Sequence, residues 1–382
     1  MMRERTRRAE AEHLDAEILD AVGRGWQEPL AELEFDRLAR EVFAHQFRFN
    51  PVYRQFCLMR RVSAAPDVGS WRDIPPVPTG AFKIGRWTTF PPEVEAAVFR
   101  TSGTTVGAPG IHGFECLGLM NAAIVASARR YLVPDRERIR CLFLSPPPAA
   151  ARDSSLVHMF AVFREAFGAP GSGFFLSHRA DGGFRPDRLA NALDAAVRDR
   201  ESVLVAGAAL AFHIVLPALA GRWSLPSGSR AMVTGGAKGV RRMADPIRIA
   251  EAIARDLGIP ASHQVAEYGM TELSSQYYDA GLRTSLTGGE EGPGFRVPPW
   301  ARVRIVDPLT GREVDSGAKN DSGAEGAVIH YDLANRASAI ALQTSDLGFW
   351  RGEDGFELHG REPGAEARGC SLAADLWLER TI

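Results

Sequence analysis

Lysine is almost missing from this chain. Of its 45 basic residues only Lys83, Lys238 and Lys319 are lysines, leaving 42 arginines. Whether a lysine stands where a given chemistry needs one is therefore settled by inspection. Cysteine is scarce too. Cys57, Cys116, Cys141 and Cys370 lie far apart, with no CxxC or other metal spacing. That excludes a disulfide framework or a zinc module and fits a reduced, cytoplasmic protein. No apolar run reaches the roughly 18 residues that a membrane span needs. A charge excess is also absent. The net charge of −2 argues against a nucleic-acid or anionic-membrane partner. The opening MMRERTRRAEAEHLDAEILDAVGR lacks the apolar centre of a secretory signal, and its interspersed acids do not suit a transit peptide. It reads as a surface helix.

What is there is the material of a large globular chain, 382 residues with 45% apolar and 24% charged. That is enough for a sizeable core in one large domain or two smaller ones. Helical periodicity and strand-like runs alternate through the middle. LGLMNAAIVASARRYL (117–132), RLANALDAAVRD (188–199), residues 208–220 and DPIRIAEAIARDLG (245–258) predict helices. The last has an Asp cap, a Pro start and a Gly stop. IRCLFLS (139–145), SVLVAG (202–207) and RAMVTGG (230–236) predict buried strands between them. The alternation implies an α/β sheet with helices on its faces. Past residue 293 the pattern changes. ARVRIVDPLTG, GAVIHYDL, ASAIALQTSD and GFELHGR alternate in polarity with Gly, Asp and Pro at the joints, which predicts a small antiparallel unit, a distorted barrel or sandwich.

Several short stretches carry chemistry. TSGTTVG (101–107) crowds hydroxyls and glycines whose backbone N–H groups suit phosphate oxygens, although GxxxxGK[ST] is absent. MVTGGAKG (232–239) sets two glycines at the end of a predicted strand, where ligands of open α/β sheets sit. YGMTE (268–272) offers an aromatic for a flat ring, and a Thr and a Glu for phosphate and a hard cation. LQTSDLGFW and LHGRE place Asp346 and Arg361 at strand ends, suited to ribose hydroxyls. Cys370 in ARGCSL has Arg368 beside it, which favours a thiolate. Taken singly, each also reads as a turn, a strand end, a surface ion pair or, for Cys370, a small buried hydrophobe.

Their order says more. TSGTT, GGA, YGMTE, SD and GR, in that sequence across about 260 residues, resemble the motifs of the adenylate-forming enzymes: acyl-CoA synthetases, luciferases and peptide-synthetase adenylation domains. Within that superfamily the chain looks most like the acyl-protein synthetase (LuxE-type) family. The likeness runs from FNPVYRQFC (49–57) and WRDIPPVPTGAFK (71–83) through LSPPPAAARDSSLVHM (144–159) to GREPGAEARGCSL (360–372). The resemblance implies an adenylate-forming large domain, an α/β core over residues 1–295 with a β-rich subdomain over 296–361 completing the nucleotide site. A short tail, 362–382, carries Cys370, and the rotating C-terminal domain of many relatives is absent or vestigial.

The same resemblance implies the site. Thr101, Ser102, Gly103, Thr104 and Thr105 would hold the ATP phosphates. Gly235, Gly236 and Ala237 would line the adenine, with Tyr268 and Gly269 packed on it. Thr271 would touch the α-phosphate, Glu272 would hold Mg²⁺, and Asp346 and Arg361 would bind the ribose. Cys370 matches the cysteine acylated in that family, and Phe212 and His213 are candidates for the acyl pocket. The family's activity would be activation of a carboxylic acid, a fatty acid, as acyl-AMP. The acyl group then passes to a protein thiol for handover to a reductase-like acceptor or a carrier.

Three departures stand out. The phosphate loop lacks its usual lysine, so phosphate charge would fall to His112 or a nearby arginine. The hinge position after GR reads Glu362–Pro363, where proline restricts φ. None of the 21 residues after Arg361 is lysine, so the catalytic lysine that many relatives carry there has no counterpart. Two rival readings follow: a ligase passing acyl to CoA, a carrier protein or an amine, and a nucleotide-binding scaffold without catalysis.

Overall fold

The computed structural model describes residues 2–63, 65–101, 109–176, 185–219, 221–235, 245–289, 291–314, 324–352 and 354–361. The chain opens with three helices. In α1 (Met2–Arg24) the buried residues Arg7, Ala11, Leu14, Ile18, Ala21 and Val22 recur at three- and four-residue spacing and make one stripe. Arg7 interrupts that stripe without being left unpaired. Its guanidinium donates to Glu115 at 2.8 and 2.6 Å and to Glu4 on its own helix. α2 (Glu32–Phe49) and α3 (Pro51–Met59) meet at Asn50, whose side chain accepts the Tyr53 N–H at 3.0 Å. With Pro51 at the first helical position, this is a sequence-encoded cap.

A short strand, β1 (Val77–Pro78), precedes a separate antiparallel pair, β2 (Ala97–Arg100) and β3 (Ile111–Phe114). The TSGTT stretch connects the last two. The alternating middle follows: α4 (Gly118–Tyr131), β4 (Arg140–Leu144), α5 (Ser155–Phe167), β5 (Gly173–Phe174), α6 (Pro186–Asp199), β6 (Val203–Ala208), α7 (Ala209–Leu219), β7 (Arg230–Thr234) and α8 (Pro246–Leu257). The capping residues read from the sequence are in place on α8. Asp245 accepts the Ile247 N–H at 3.0 Å, and Gly258 closes the helix at φ 70°, a left-handed conformation that favours glycine. The chain ends its described part with β8 (Gln264–Tyr268), β9 (Tyr277–Asp279), α9 (Gly281–Thr287), β10 (Phe295–Arg296), β11 (Ala301–Val306), β12 (Gly326–Asp332), β13 (Ala341–Arg351) and β14 (Gly355–Arg361).

One sheet gathers nearly all the strands, in the order β11-β12-β13-β14-β10-β9-β8-β7-β6-β4-β5, with β1 beside β13. β5, β4, β6, β7 and β8 run parallel, and β9 turns the direction. The antiparallel strands expected after residue 296 are present, and β10 joins them edge to edge to the parallel half. Two apolar cores result. One packs α4 to α8 against the parallel strands, around Phe143, Phe160, Phe163 and Val205. The other packs the N-terminal helices against β11–β13, around Phe35, Phe43, Tyr53 and Trp300. Burying each such ring contributes on the order of 1.5–3 kcal/mol. β12 departs from its sequence pattern. Its alternation predicts one wet face, yet all seven residues are buried, because elements cover both sides of the sheet there. Its polar members, His330 and Asp332, are satisfied by hydrogen bonds instead.

Candidate active site

The parallel strands β7 and β8 end side by side, with Thr234 opposite Glu267 in register. Just beyond β7, Gly235 adopts φ 70° and lies exposed, while Gly236 and Ala237 lie outside the described residues. β8 ends at Tyr268. Its ring sits among Phe295, Tyr277, His330 and Phe356, with centroids 5.6 to 6.0 Å away. Its hydroxyl reaches across to β13 and donates to Asp346 Oδ2 at 2.9 Å. Burial pushes that phenol well above its ordinary value, so it remains a donor. Asp346 and Arg361 are cross-strand partners on β13 and β14, and Arg361 Nε donates to Asp346 Oδ1 at 2.7 Å. Three residues spread from 268 to 361 thus meet around one buried carboxylate.

The turn after Tyr268 is clamped from below. Asp332 accepts from the Ser275 hydroxyl at 2.8 Å and from the N–H groups of Ser274 and Ser275 at 3.2 and 2.9 Å. Asn335 accepts from the Ser274 hydroxyl at 2.7 Å and donates to the Glu272 carbonyl at 2.9 Å. Thr271 and Glu272 are both buried, and the Thr271 and Ser155 hydroxyls lie 3.3 Å apart. Burial raises the Asp332 carboxyl to about 6, against the four hydrogen bonds that lower it. Among the described residues no group of three or more His, Cys, Asp and Glu is placed to hold a metal by itself. The donor set suits an ion that takes one carboxylate, Glu272, and fills its remaining positions from phosphate and water, the habit of Mg²⁺.

The TSGTT stretch is seen at its base. Thr101 donates its N–H to the Gly110 carbonyl at 2.9 Å, and its hydroxyl accepts the Gly110 N–H at 2.7 Å. Ser102, Gly103, Thr104 and Thr105 lie outside the described residues, as does Cys370. His112 on β3 ties this hairpin to the turn below Tyr268. One ring nitrogen is 2.8 Å from the Thr271 carbonyl and the other 2.9 Å from the Ser338 hydroxyl. Burial lowers its pKa to about 4. His112 is therefore a neutral strut, and the expectation that it replaces the missing lysine as a phosphate cation is corrected. Arg100, exposed immediately before the loop and 3.7 Å from Asp153, is the arginine left at that place.

The acyl-pocket candidates lie on α7. Phe212 is fully buried in the packing of that helix against the sheet, and His213 is half-buried. Sequence reasoning missed Glu267, His330, Asp332 and Asn335. His330 hydrogen-bonds Tyr277 at 2.9 Å and stands 3.3 Å from the Tyr268 hydroxyl. Of the described cysteines Cys57 and Cys141 are buried, with thiols pushed up to about 12 by burial, and Cys116 is exposed.

No family model matches the chain, and no curated protein does. Solved structures do. A 2-hydroxyisobutyryl-CoA ligase, solved with 2-HIB-AMP and CoA, superposes with a TM-score of 0.61 at 15% identity, over 90% of this chain and 72% of that one. A long-chain-fatty-acid-CoA ligase of Archaeoglobus fulgidus gives 0.45 at 14% identity, over 70% and 52%. An o-succinylbenzoate-CoA synthetase of Bacillus subtilis gives 0.44 at 18% identity, over 70% and 49%. This chain thus spans about half the length of the last two. The fold is that of the adenylate-forming enzymes, as the order of motifs predicts.

Proposed function

We propose that this chain activates a carboxylic acid with ATP as an acyl-adenylate and then passes the acyl group to a thiol, Cys370 of its own tail. One observation carries the reading. The Tyr268 hydroxyl and the Arg361 guanidinium share the Asp346 carboxylate, which unites three of the five motifs at one point. In this reading residues 1–295 form the catalytic core, 296–361 complete the nucleotide site, and 362–382 deliver the thiol.

The chemistry follows from what each group offers. Carboxylates are poor acyl donors because oxide is a poor leaving group. A carboxylate oxygen attacks the α-phosphorus, the bond to pyrophosphate breaks, and AMP becomes the leaving group of a mixed anhydride. Asp346, held by Arg361, accepts from the ribose hydroxyls, and the glycine at 235 lets the adenine lie close to bare backbone. The Thr271 hydroxyl donates to the α-phosphate while accepting from the Ser155 hydroxyl, and His112 holds the Thr271 carbonyl in place. Mg²⁺ on the Glu272 carboxylate would supply positive charge to the phosphates when bound. Preorganised donors of this kind stabilise developing charge without reorganising. The Cys370 thiolate then attacks the acyl carbon, AMP departs, and a thioester remains on the tail. A reductase-like protein or a carrier would take the acyl group from there. A free acceptor thiol needs a reducing compartment such as the cytoplasm.

A second reading keeps the adenylate and changes the acceptor. The 2-hydroxyisobutyryl-CoA ligase of the same fold was solved with CoA beside its acyl-AMP, which lends weight to CoA as the acceptor here. Intact mass after incubation with ATP, Mg²⁺ and a pool of acids separates the two. A hydroxylamine-labile adduct on Cys370, absent in Cys370→Ala and not on the exposed Cys116, supports the first reading. Acid-dependent pyrophosphate release with acyl-CoA formed and no adduct supports the second. ATP binding with no pyrophosphate release would overturn both.

A further inference from the structure

The last residues of β7 and β8 hold a polar feature that the nucleotide chemistry does not use. Glu267 is 4% exposed, and its Oε2 accepts a short hydrogen bond from the Thr234 hydroxyl on the neighbouring strand. Among the described residues its other oxygen, Oε1, takes no hydrogen bond. That oxygen lies only 2.6 Å from where a Cβ at Gly269 would stand. Gln276 approaches the same point, its Cγ 3.5 Å from that position. The Gln276 amide donates to the Ser274 carbonyl at 3.2 Å, and its own Oε1 is buried with no partner among the described residues. Glu267 Oε1 and the Gln276 side chain, from residues 4% and 6% exposed, therefore flank one glycine at the carboxyl end of the parallel strands.

Alternation along β8 sets the direction. Tyr268 points toward Asp346 and His330, so Glu267 faces the opposite side of the sheet, the side of Tyr278 and the helices around the first core. Beyond the carboxyl ends of such strands is where open α/β folds take their ligands. A buried acceptor with no donor is costly, and a substrate that brings the donor removes that cost. Burial raises the Glu267 carboxyl to about 7 despite the Thr234 bond.

We propose that Thr234, Glu267 and Gln276 form a hydrogen-bond-accepting recess that selects carboxylic acids bearing a hydroxyl or amino group. The proposal rests on the acyl-adenylate reading and names its substrate class. It sets aside the unsubstituted fatty acid that the family resemblance implies, because a bare alkyl chain packed there would cover Glu267 Oε1 without giving it a donor.

The test is ATP–pyrophosphate exchange by the full chain with matched pairs of acids. Each pair has equal length or an equal aryl frame, with and without a hydroxyl or an amino group. The recess predicts that in at least one pair the substituted acid has a kcat/KM about 10-fold or more above its partner. Glu267→Leu should bring that ratio to about one or below while KM for ATP stays unchanged, a split that a merely structural role would not give. Glu267→Gln should keep the preference if the donor is a hydroxyl and lose it if the donor is an ammonium. Should Glu267→Leu not fold, Thr234→Val reads the same ratio. Preference for the unsubstituted acid in every pair, or a ratio that survives both variants, overturns the recess and leaves adenylation standing. No exchange with any acid overturns the adenylate reading and the recess with it.

Discussion

The hydroxyl of Tyr268 and the carboxylate of Asp346, 78 residues apart, lie 2.9 Å from one another, and Arg361 holds the carboxylate's other oxygen at 2.7 Å. The Asp346–Arg361 contact is set by strand register, since the two face each other across β13 and β14. The Tyr268 contact depends on β10 and β9 bringing β8 alongside. Tyr268→Phe removes one hydrogen bond to a charged group, about 1.5–3 kcal/mol. KM for ATP should rise roughly 10-fold or more, and the melting temperature should fall by roughly a few degrees. Asp346→Asn should cost more, because it also takes the negative charge out of the Arg361–Asp346 ion pair. Arg361→Lys should not restore binding, since lysine lacks the planar fork. ATP titration of the three variants checks this order.

How much of this was readable beforehand differs by element. α8 is legible end to end, because Asp245, Pro246 and Gly258 each act locally. The motif order locates Tyr268, Asp346 and Arg361, and the fold brings those three together. Glu267 escapes notice because a strand-end glutamate normally faces solvent, and only the packing of Thr234 and Gly269 around it reveals burial. His330 and Asp332 escape for a related reason. They fall on the polar beat of an alternating strand, and alternation cannot say that a second layer covers that face. Their partners, Tyr277 and the Ser274–Ser275 pair, are more than 50 residues distant in sequence. Short-range patterns hold no trace of such contacts.

In the acyl-adenylate reading, with His112 neutral and hydrogen-bonded at both nitrogens, charge for the ATP phosphates would fall to another group. Arg100 precedes the loop and is exposed, with a loose 3.7 Å contact to Asp153. Arg100→Ala should raise KM for ATP several-fold, more at low salt than at high, because exposed charge is screened. His112→Phe should behave differently. It leaves the Thr271 carbonyl and the Ser338 hydroxyl buried without a partner, about 1–3 kcal/mol each. Its signature is a lower melting temperature together with a lower kcat. An unchanged melting temperature would count against the strut.

Acid should destabilise the protein below neutral pH. Burial holds His45 at about 3, His112 at about 4 and His330 at about 3, against 6.5 for the free side chain. The unfolded chain binds protons at these sites below 6.5 while the folded one does not. The stability they contribute is full above pH 6.5 and declines as pH falls from there toward 4 and 3. Asp332 and Glu267, raised to about 6 and about 7, act oppositely. Their contribution is full below the unfolded values near 4 and is lost as pH rises through 6 to 7. Melting temperature should therefore peak near neutral pH and fall between 6.5 and 4. His45 offers the cleanest dissection. Among the described residues both of its ring nitrogens are buried without a hydrogen bond, beside Phe49 and with the Glu10 carboxylate 3.5 Å off. His45→Phe should be neutral or stabilising at pH 8 and should flatten the acid slope.

Gly269 supplies the narrowest test of the site. Its conformation is not what demands glycine; the space is. A Cβ there would stand 2.6 Å from Glu267 Oε1, closer than side chains tolerate, and 3.5 Å from Gln276 Cγ. Backbone at the end of β8 cannot retreat easily, because the neighbouring Glu267 and Tyr268 are paired with Tyr278 and Tyr277 on β9. The Glu267 carboxyl must swing instead, which breaks its bond to Thr234. Overpacking of this kind costs about 1–3 kcal/mol. Gly269→Ala should thus lower the melting temperature and raise KM for the acid by about 10-fold or more, while Asp346 and Arg361 keep KM for ATP within about 2-fold. Paired KM measurements on this one variant decide it. A rise in KM for ATP alone would put Gly269 against the adenine, as the motif resemblance implies, and would detach Glu267 from substrate choice.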